Sequence, residues 1–167
     1  MTETALDIKM NLRLWSDTQD LSELVRELGR PARRRYRKGE AVQIGRTQTL
    51  RTPKRHYVSY PDAEVHDLCG VAPWLESELD LLERSRLTAS LTRSGAVEAL
   101  LWIAIFANTR IEAPRLSHDI VERARSLGIK IFVENYSSDP AESKLSGPDN
   151  DADVSCVIPT KSWYPAD

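Results

Sequence analysis

The run from Ala99 to Ala107 (ALLWIAIFA) is the longest uninterrupted apolar stretch in the chain. It is about half the roughly 20 residues a helix needs to cross a bilayer, and it is rich in β-formers. It therefore reads as a buried strand, Val97 to Phe106, apolar on both faces. Such a strand demands a central place in a sheet, covered on both sides or flanked by neighbours. A chain of 167 residues with 41% hydrophobic and 29% charged side chains can build one core around it, being too apolar for disorder and too short for two comfortable domains.

The neighbours of that strand are legible. Asn11 to Ser16 alternates Leu12 and Leu14 against Arg13 and Trp15, and Ile129 to Tyr136 alternates Ile129, Ile131 and Val133 against Lys130, Phe132 and Glu134. Both have the two-residue period of strands. Between Ala32 and Tyr60, turn residues Gly39, Gly45 and Pro53 separate Arg33–Arg37, Thr47–Arg51 and Arg55–Tyr60, which predicts a meander. Three helices are expected. Leu21 to Leu28 places Leu21, Leu24, Val25 and Leu28 on one stripe, with Asp20 and Glu23 spaced as a capping box and Gly29 as the stop. Trp74 to Thr92 carries a leucine stripe and has Pro73 at its start, after a linker over residues 61–73. His118 to Leu127 has Ser117 as its cap and Gly128 as its stop. The order implies an α+β domain, a mainly antiparallel sheet with helices on one face, close to a ferredoxin-like plan with an extra helix and strand. Residues 1–10 read as an N-terminal extension, 11–137 as the domain, and 138–167 as a flexible acidic segment whose Trp163 is placed to dock back. No internal repeat is present.

The segments LRLWSD, DLSELVRELGRPARRRYRKGE, RHYVSY and RLSHDIVERARSLGIKIFVENYS, in that order, resemble the bacterial domain of unknown function 4279. The likeness rests on Ser16-Asp17, Leu28-Gly29, Lys38-Gly39-Glu40, Leu116-Ser117, Leu127-Gly128 and Tyr136, and it spans residues 11–137. The family pattern often has Trp in the meander where this chain has Tyr57. The resemblance brings no established activity or site to transfer.

The net charge of −2 conceals a strong asymmetry. From Arg30 to His56 ten basic residues face a single acid, Glu40, so the rest of the chain holds 13 basic against 24 acidic side chains. Arg33, Arg34, Arg35, Arg37 and Lys38, interleaved with Tyr36 and near Tyr57 and Tyr60, have the composition of a phosphate-binding stripe with stacking rings. A sequence pI near 6.0 favours instead a solvated basic face, or one that meets the chain's own acidic helix and tail. Glu76, Glu78, Asp80 and Glu83, with Asp149, Asp151 and Asp153 in the tail, form the complementary acidic candidate, suited to a basic protein partner.

Chemistry finds little to stand on. His56, His66 and His118 lack the spacing of metal ligands. Cys69 and Cys156 are isolated and read as buried or half-buried free thiols, although His66-Asp67-Leu68-Cys69 places an imidazole and a carboxylate near a thiol. No catalytic residue, metal or cofactor is expected. The N-terminal residues lack the apolar core of a secretory signal, so a cytoplasmic location is expected, with no membrane partner and an oligomeric state left open. The sequence thus points to a non-enzymatic protein-binding domain, in the form of an immunity protein that neutralises a bacterial toxin by binding a basic toxin domain. A nucleic-acid binding module using the basic meander 30–56 is the alternative.

Overall fold

The computed structural model describes residues 6–44, 49–109, 111–137 and 160–163. Strand β1 (Leu6–Ser16) lies at the middle of the sheet, antiparallel to β7 (Glu98–Ala107) along ten paired residues from Leu6↔Ala107 to Trp15↔Glu98. On its other edge β1 pairs twice. Its C-terminal half meets β5 (His56–Ser59), which in turn pairs with β2 (Arg34–Tyr36), and its N-terminal half meets β6 (Ala63–Val65). Beyond β7 lies β8 (Ile129–Ser137), parallel to it, and then β9 (Thr160–Trp163), antiparallel to β8. The order β2-β5-β1-β7-β8-β9, with β6 beside β1, makes a mainly antiparallel sheet containing one parallel pair. A separate hairpin joins β3 (Val42–Ile44) to β4 (Thr49–Arg51).

Four helices accompany the sheet among the described residues: α1 (Ser22–Leu28), α2 (Val71–Arg84), α3 (Arg86–Arg93) and α4 (His118–Ser126). They cover one face. Ile8, Met10, Leu12 and Leu14 of β1, with Leu101, Ile103 and Ile105 of β7 and Ile131 and Val133 of β8, share a single buried cluster with Leu24, Leu75, Leu79, Leu82 and Ile120 of the helices. The α+β class with helices on one face is therefore as the hydrophobic periods imply. Beyond that class, the sheet is described by its own strand order rather than by a ferredoxin-like plan. No helix among the described residues is long and apolar enough to cross a membrane.

Several elements differ from the sequence expectation. The first strand begins at Leu6 instead of Asn11, because Ile8 and Met10 are fully buried between β6 and β7, so residues 6–10 belong to the sheet and not to an extension. The expected linker 61–73 contains β6 and a short 3₁₀ turn, Leu68–Gly70. The meander is interrupted: β2 and β5 enter the main sheet, while β3 and β4 form an excursion closed at its base where the Gly39 amide donates to the Pro53 carbonyl at 3.0 Å. Thr47, Gln48, Arg46 and Gly45 lie outside the described residues.

The long leucine helix is two helices, broken at Ser85, whose ψ is 87°. The leucine spacing carries the cause. Leu75, Leu79 and Leu82 follow helical steps, but Leu87 comes five residues after Leu82, out of phase with the stripe. A straight helix would turn Leu87 away from the core; after the break, α3 buries Thr88, Ala89 and Thr92 and leaves Leu87 exposed. The Thr92 hydroxyl is satisfied by the Thr88 carbonyl at 3.0 Å, so burying it leaves no orphan. The capping box at Asp20 is also replaced. Asp20 accepts from the Ser22 amide at 2.8 Å and from the Ser22 hydroxyl, one residue short of the Glu23 position that a capping box would use. Ser117 caps α4 as expected, accepting from the Ile120 amide at 3.3 Å.

Candidate functional site

Among the described residues the second face of the sheet carries no helix, and it is aromatic. Residues alternate across the strands, so Trp15 on β1, Tyr57 on β5 and Tyr36 on β2 fall in one cross-strand row, and Trp102 and Phe132 fall in another. Phe106 and Tyr136 complete the set. Seven of the chain's eleven aromatic side chains thus lie on the face that an antiparallel sheet normally leaves polar.

These rings are ordered by one another. Trp15 and Tyr57 lie 5.3 Å apart, Tyr57 and Tyr36 stack at 5.7 Å, and Phe106 and Tyr136 stack at 4.9 Å and 9°. The Arg13 guanidinium sits 4.1 Å from the Trp102 ring centre, a cation–π contact. Glu134 accepts from the Trp102 indole at 2.9 Å and from the Tyr136 hydroxyl at 2.6 Å. Burial, with the hydrogen bond to Glu134 behind it, pushes the Tyr136 hydroxyl up to about 12. The Trp102–Glu134–Tyr136 bridge ties side chains of β7 and β8 together.

Two shallow grooves open on this face. One, of about 220 Å³, lies between the Tyr57 and Trp102 rings and is lined by Arg13, Arg33, Arg34 and Asp62. The other, of about 270 Å³, lies at the end of the sheet beside Trp15 and Leu100, where Arg55 and Lys130 both meet Glu98 at 2.9 and 3.7 Å. The hydrogen bond from Arg55, with the charges of Arg55 and Lys130, outweighs desolvation and holds the Glu98 carboxyl below its usual range.

The basic residues singled out in the sequence do not form one patch. Arg35 and Arg37 both pair with Asp20, at 3.6 and 3.4 Å, and Arg37 also reaches Glu40. The Ser22 hydrogen bonds foremost, with these two cations behind them, hold Asp20 below its usual range. Arg33 pairs with Asp62, Arg55 with Asp17 and Glu98, and Arg30 makes a two-pronged contact with Glu78. The Lys38 ammonium donates to the Asp17 carbonyl at 3.0 Å. Strand alternation puts Arg34 on the aromatic face and Arg35 on the other.

The acidic residues are likewise committed. Glu78 is buried in α2 and held by Arg30, which itself lies over the Tyr60 ring at 4.4 Å. Asp80 and Glu83 both bind Arg123 of α4, at 2.5 and 3.0 Å, and these hydrogen bonds raise the guanidinium's proton affinity further. Only Glu76 of the four stands exposed with no ion pair among the described residues. Asp149, Asp151, Asp153 and Cys156 lie outside the described residues. Among the described residues, Arg30, Arg33, Arg35, Arg37 and Arg55 of the basic stretch are thus paired with carboxylates of the same chain.

Around Cys69 the geometry is open. The thiol is exposed instead of buried or half-buried, Asp67 is engaged in accepting from the Gly70 amide at 2.8 Å, and His66 is exposed, 3.9 Å from Asp7. Among the described residues, no group of three or more His, Cys, Asp or Glu side chains is gathered as a metal site would need.

No family model, no curated protein and no solved structure matches this chain.

The aromatic face itself was only half legible in the sequence. Trp15, Phe132 and Arg13 appear there as the polar-side members of alternating strands, but nothing in the order of residues says that β1, β5, β7 and β8 bring their rings side by side. The available signal was the placement of large aromatics at positions where alternation calls for polar residues.

Proposed function

We propose that this chain is a non-enzymatic protein-binding domain, and that its partner docks on the aromatic face of the sheet. The observation that carries the reading is the clustering of Trp15, Tyr36, Tyr57, Trp102, Phe106 and Tyr136 with Arg13 on the face opposite the helices. Phe106 is exposed and Trp15, Tyr36, Tyr57, Trp102 and Tyr136 are half-buried, so each keeps ring surface to offer a partner, and Trp, Tyr and Arg are the residues on which protein interfaces concentrate their binding energy. The rings are held by one another before any partner arrives, which lowers the entropy lost on binding. The acidic helix is a poorer candidate than the sequence suggests, since Glu78, Asp80 and Glu83 already hold Arg30 and Arg123. The nucleic-acid alternative is weakened in the same way. Arg33, Arg35 and Arg37 would have to leave carboxylates to meet phosphates, and the Tyr57 ring is already engaged by Trp15 and Tyr36.

A small domain that acts by covering another protein is the working form of an immunity protein, and the partner we propose is a bacterial toxin domain. The test is co-expression with the product of the adjacent gene, using the wild type and a Tyr57→Ala/Trp102→Ala variant. The wild type is expected to protect cells and to co-purify with the toxin, while the variant loses both, because truncating two central aromatic anchors weakens binding by about 30-fold or more. Thermal unfolding of the variant separates loss of the face from loss of the fold. Equal protection and recovery by a folded variant refutes the reading.

A further inference from the structure

The 220 Å³ groove on the aromatic face has an unbalanced charge. Arg13, Arg33 and Arg34 line it against a single carboxylate, Asp62. Asp62 is already engaged: it accepts from the Asn11 amide at 2.5 Å and pairs with Arg33. Arg13 is steadied by the Asn11 side-chain oxygen at 2.9 Å and by the Trp102 ring. That leaves Arg34. In the stretch from Arg30 to Arg37, Arg30, Arg33, Arg35 and Arg37 each hold a carboxylate of this chain, whereas Arg34 has no ion pair among the described residues. It is exposed, sits on edge strand β2 opposite Ser59, and lines the groove.

We propose that this groove seats an aspartate or glutamate side chain of the docked protein, its carboxylate paired with Arg34 and its stem against the Tyr57 and Trp102 rings. The inference rests on the protein-binding reading and names the chemistry of the partner at one point of the interface. A guanidinium presents a planar fork that a carboxylate matches with two hydrogen bonds, and Arg13 adds a second positive charge from across the groove. Asp62 disfavours a doubly charged phosphate, which its carboxylate repels about twice as strongly as it repels a carboxylate. A stacked nucleobase is disfavoured because Arg13 already occupies a face of Trp102 and Tyr57 already contacts two rings.

The test is a chemical-shift titration of the full chain with a blocked triglutamate peptide, its triglutamine analogue and inorganic phosphate. Triglutamate is expected to shift the Trp102 indole and the Ser59 amide saturably, and triglutamine to leave them unmoved. Arg34→Gln should weaken triglutamate about tenfold, the loss of one charge-assisted contact, while Arg51→Gln, on β4 and outside the groove, leaves it unchanged. The proposal is overturned by the absence of a saturable shift, by equal affinity in Arg34→Gln, or by phosphate binding more tightly than triglutamate. In the co-expression assay, an Arg34→Gln protein that still protects fully while Tyr57→Ala/Trp102→Ala does not would end the groove proposal and leave the docking face standing.

Discussion

Glu78 separates two accounts of the acidic helix. On a surface that waits for a partner its removal would leave the fold untouched; in the structure its side chain is 8% exposed and grips the Arg30 guanidinium through two hydrogen bonds of 2.7 and 2.5 Å. Replacing it with Ala strands a cation that is itself 29% exposed and lies over the buried Tyr60 ring. Breaking one side of a fully buried pair costs about 3–5 kcal/mol, and the partial exposure of Arg30 lets water recover some of it, so Glu78→Ala should cost about 2–3 kcal/mol. In a chain of this size that lowers Tm by roughly 4–12 °C. Urea unfolding at neutral pH followed by far-UV circular dichroism measures it, with unchanged m-value as the sign that only stability moved. A Glu78→Leu/Arg30→Met double variant should recover most of the loss, since well-packed apolar side chains replace a buried pair at little net cost. Glu76→Ala, exposed on the same helix, should stay within about 0.5 kcal/mol of wild type. A Glu78→Ala protein as stable as wild type would refute the reasoning and return that carboxylate to the list of partner-binding groups.

Two further outcomes follow from the helix ends. Glu27, at the end of α1, accepts from the Leu87 amide at 2.9 Å and from the Thr88 amide and hydroxyl at 3.0 and 2.8 Å, so it caps α3 from another helix; Glu27→Ala should cost about 1 kcal/mol. Burial pushes the Glu27 carboxyl up, but those three hydrogen bonds together hold it below its ordinary 4.5. A depressed folded value means the contribution is complete above pH 4.5 and is lost as pH falls through the lower folded value, so the gap between wild type and Glu27→Ala should close in acid denaturation curves below that pH. Gly128, after α4, has a φ of 69°, and a Cβ there would stand 2.6 Å from the Thr92 carbonyl oxygen. Gly128→Ala should therefore cost about 2 kcal/mol or more, against about 1 for Gly29→Ala, whose φ is 66° but whose surroundings are open; equal losses in thermal unfolding would show that the contact with Thr92 does not matter.

The parts of this protein legible in its sequence are those governed by neighbours in the chain. Alternation in NLRLWS and IKIFVENY marks two strands, the caps and stops at Ser117, Gly29 and Gly128 mark helix ends, and the all-apolar run marks the central strand, because hydrophobic period and local hydrogen bonding act over a few residues. The break at Ser85 left a trace in the five-residue step from Leu82 to Leu87, but the cap that completes it comes from Glu27, sixty residues away. Strand β6 and the first half of β1 define each other across the sheet, and neither is a strong strand by composition alone. The charge asymmetry shows the same division. The order of residues alone places ten basic groups between Arg30 and His56. Which of them meet Asp20, Asp62, Glu78 and Glu98, and that Arg34 is left over beside a row of rings, was decided by the tertiary structure, because ion pairing and cross-strand stacking join residues that only the folded sheet brings within reach.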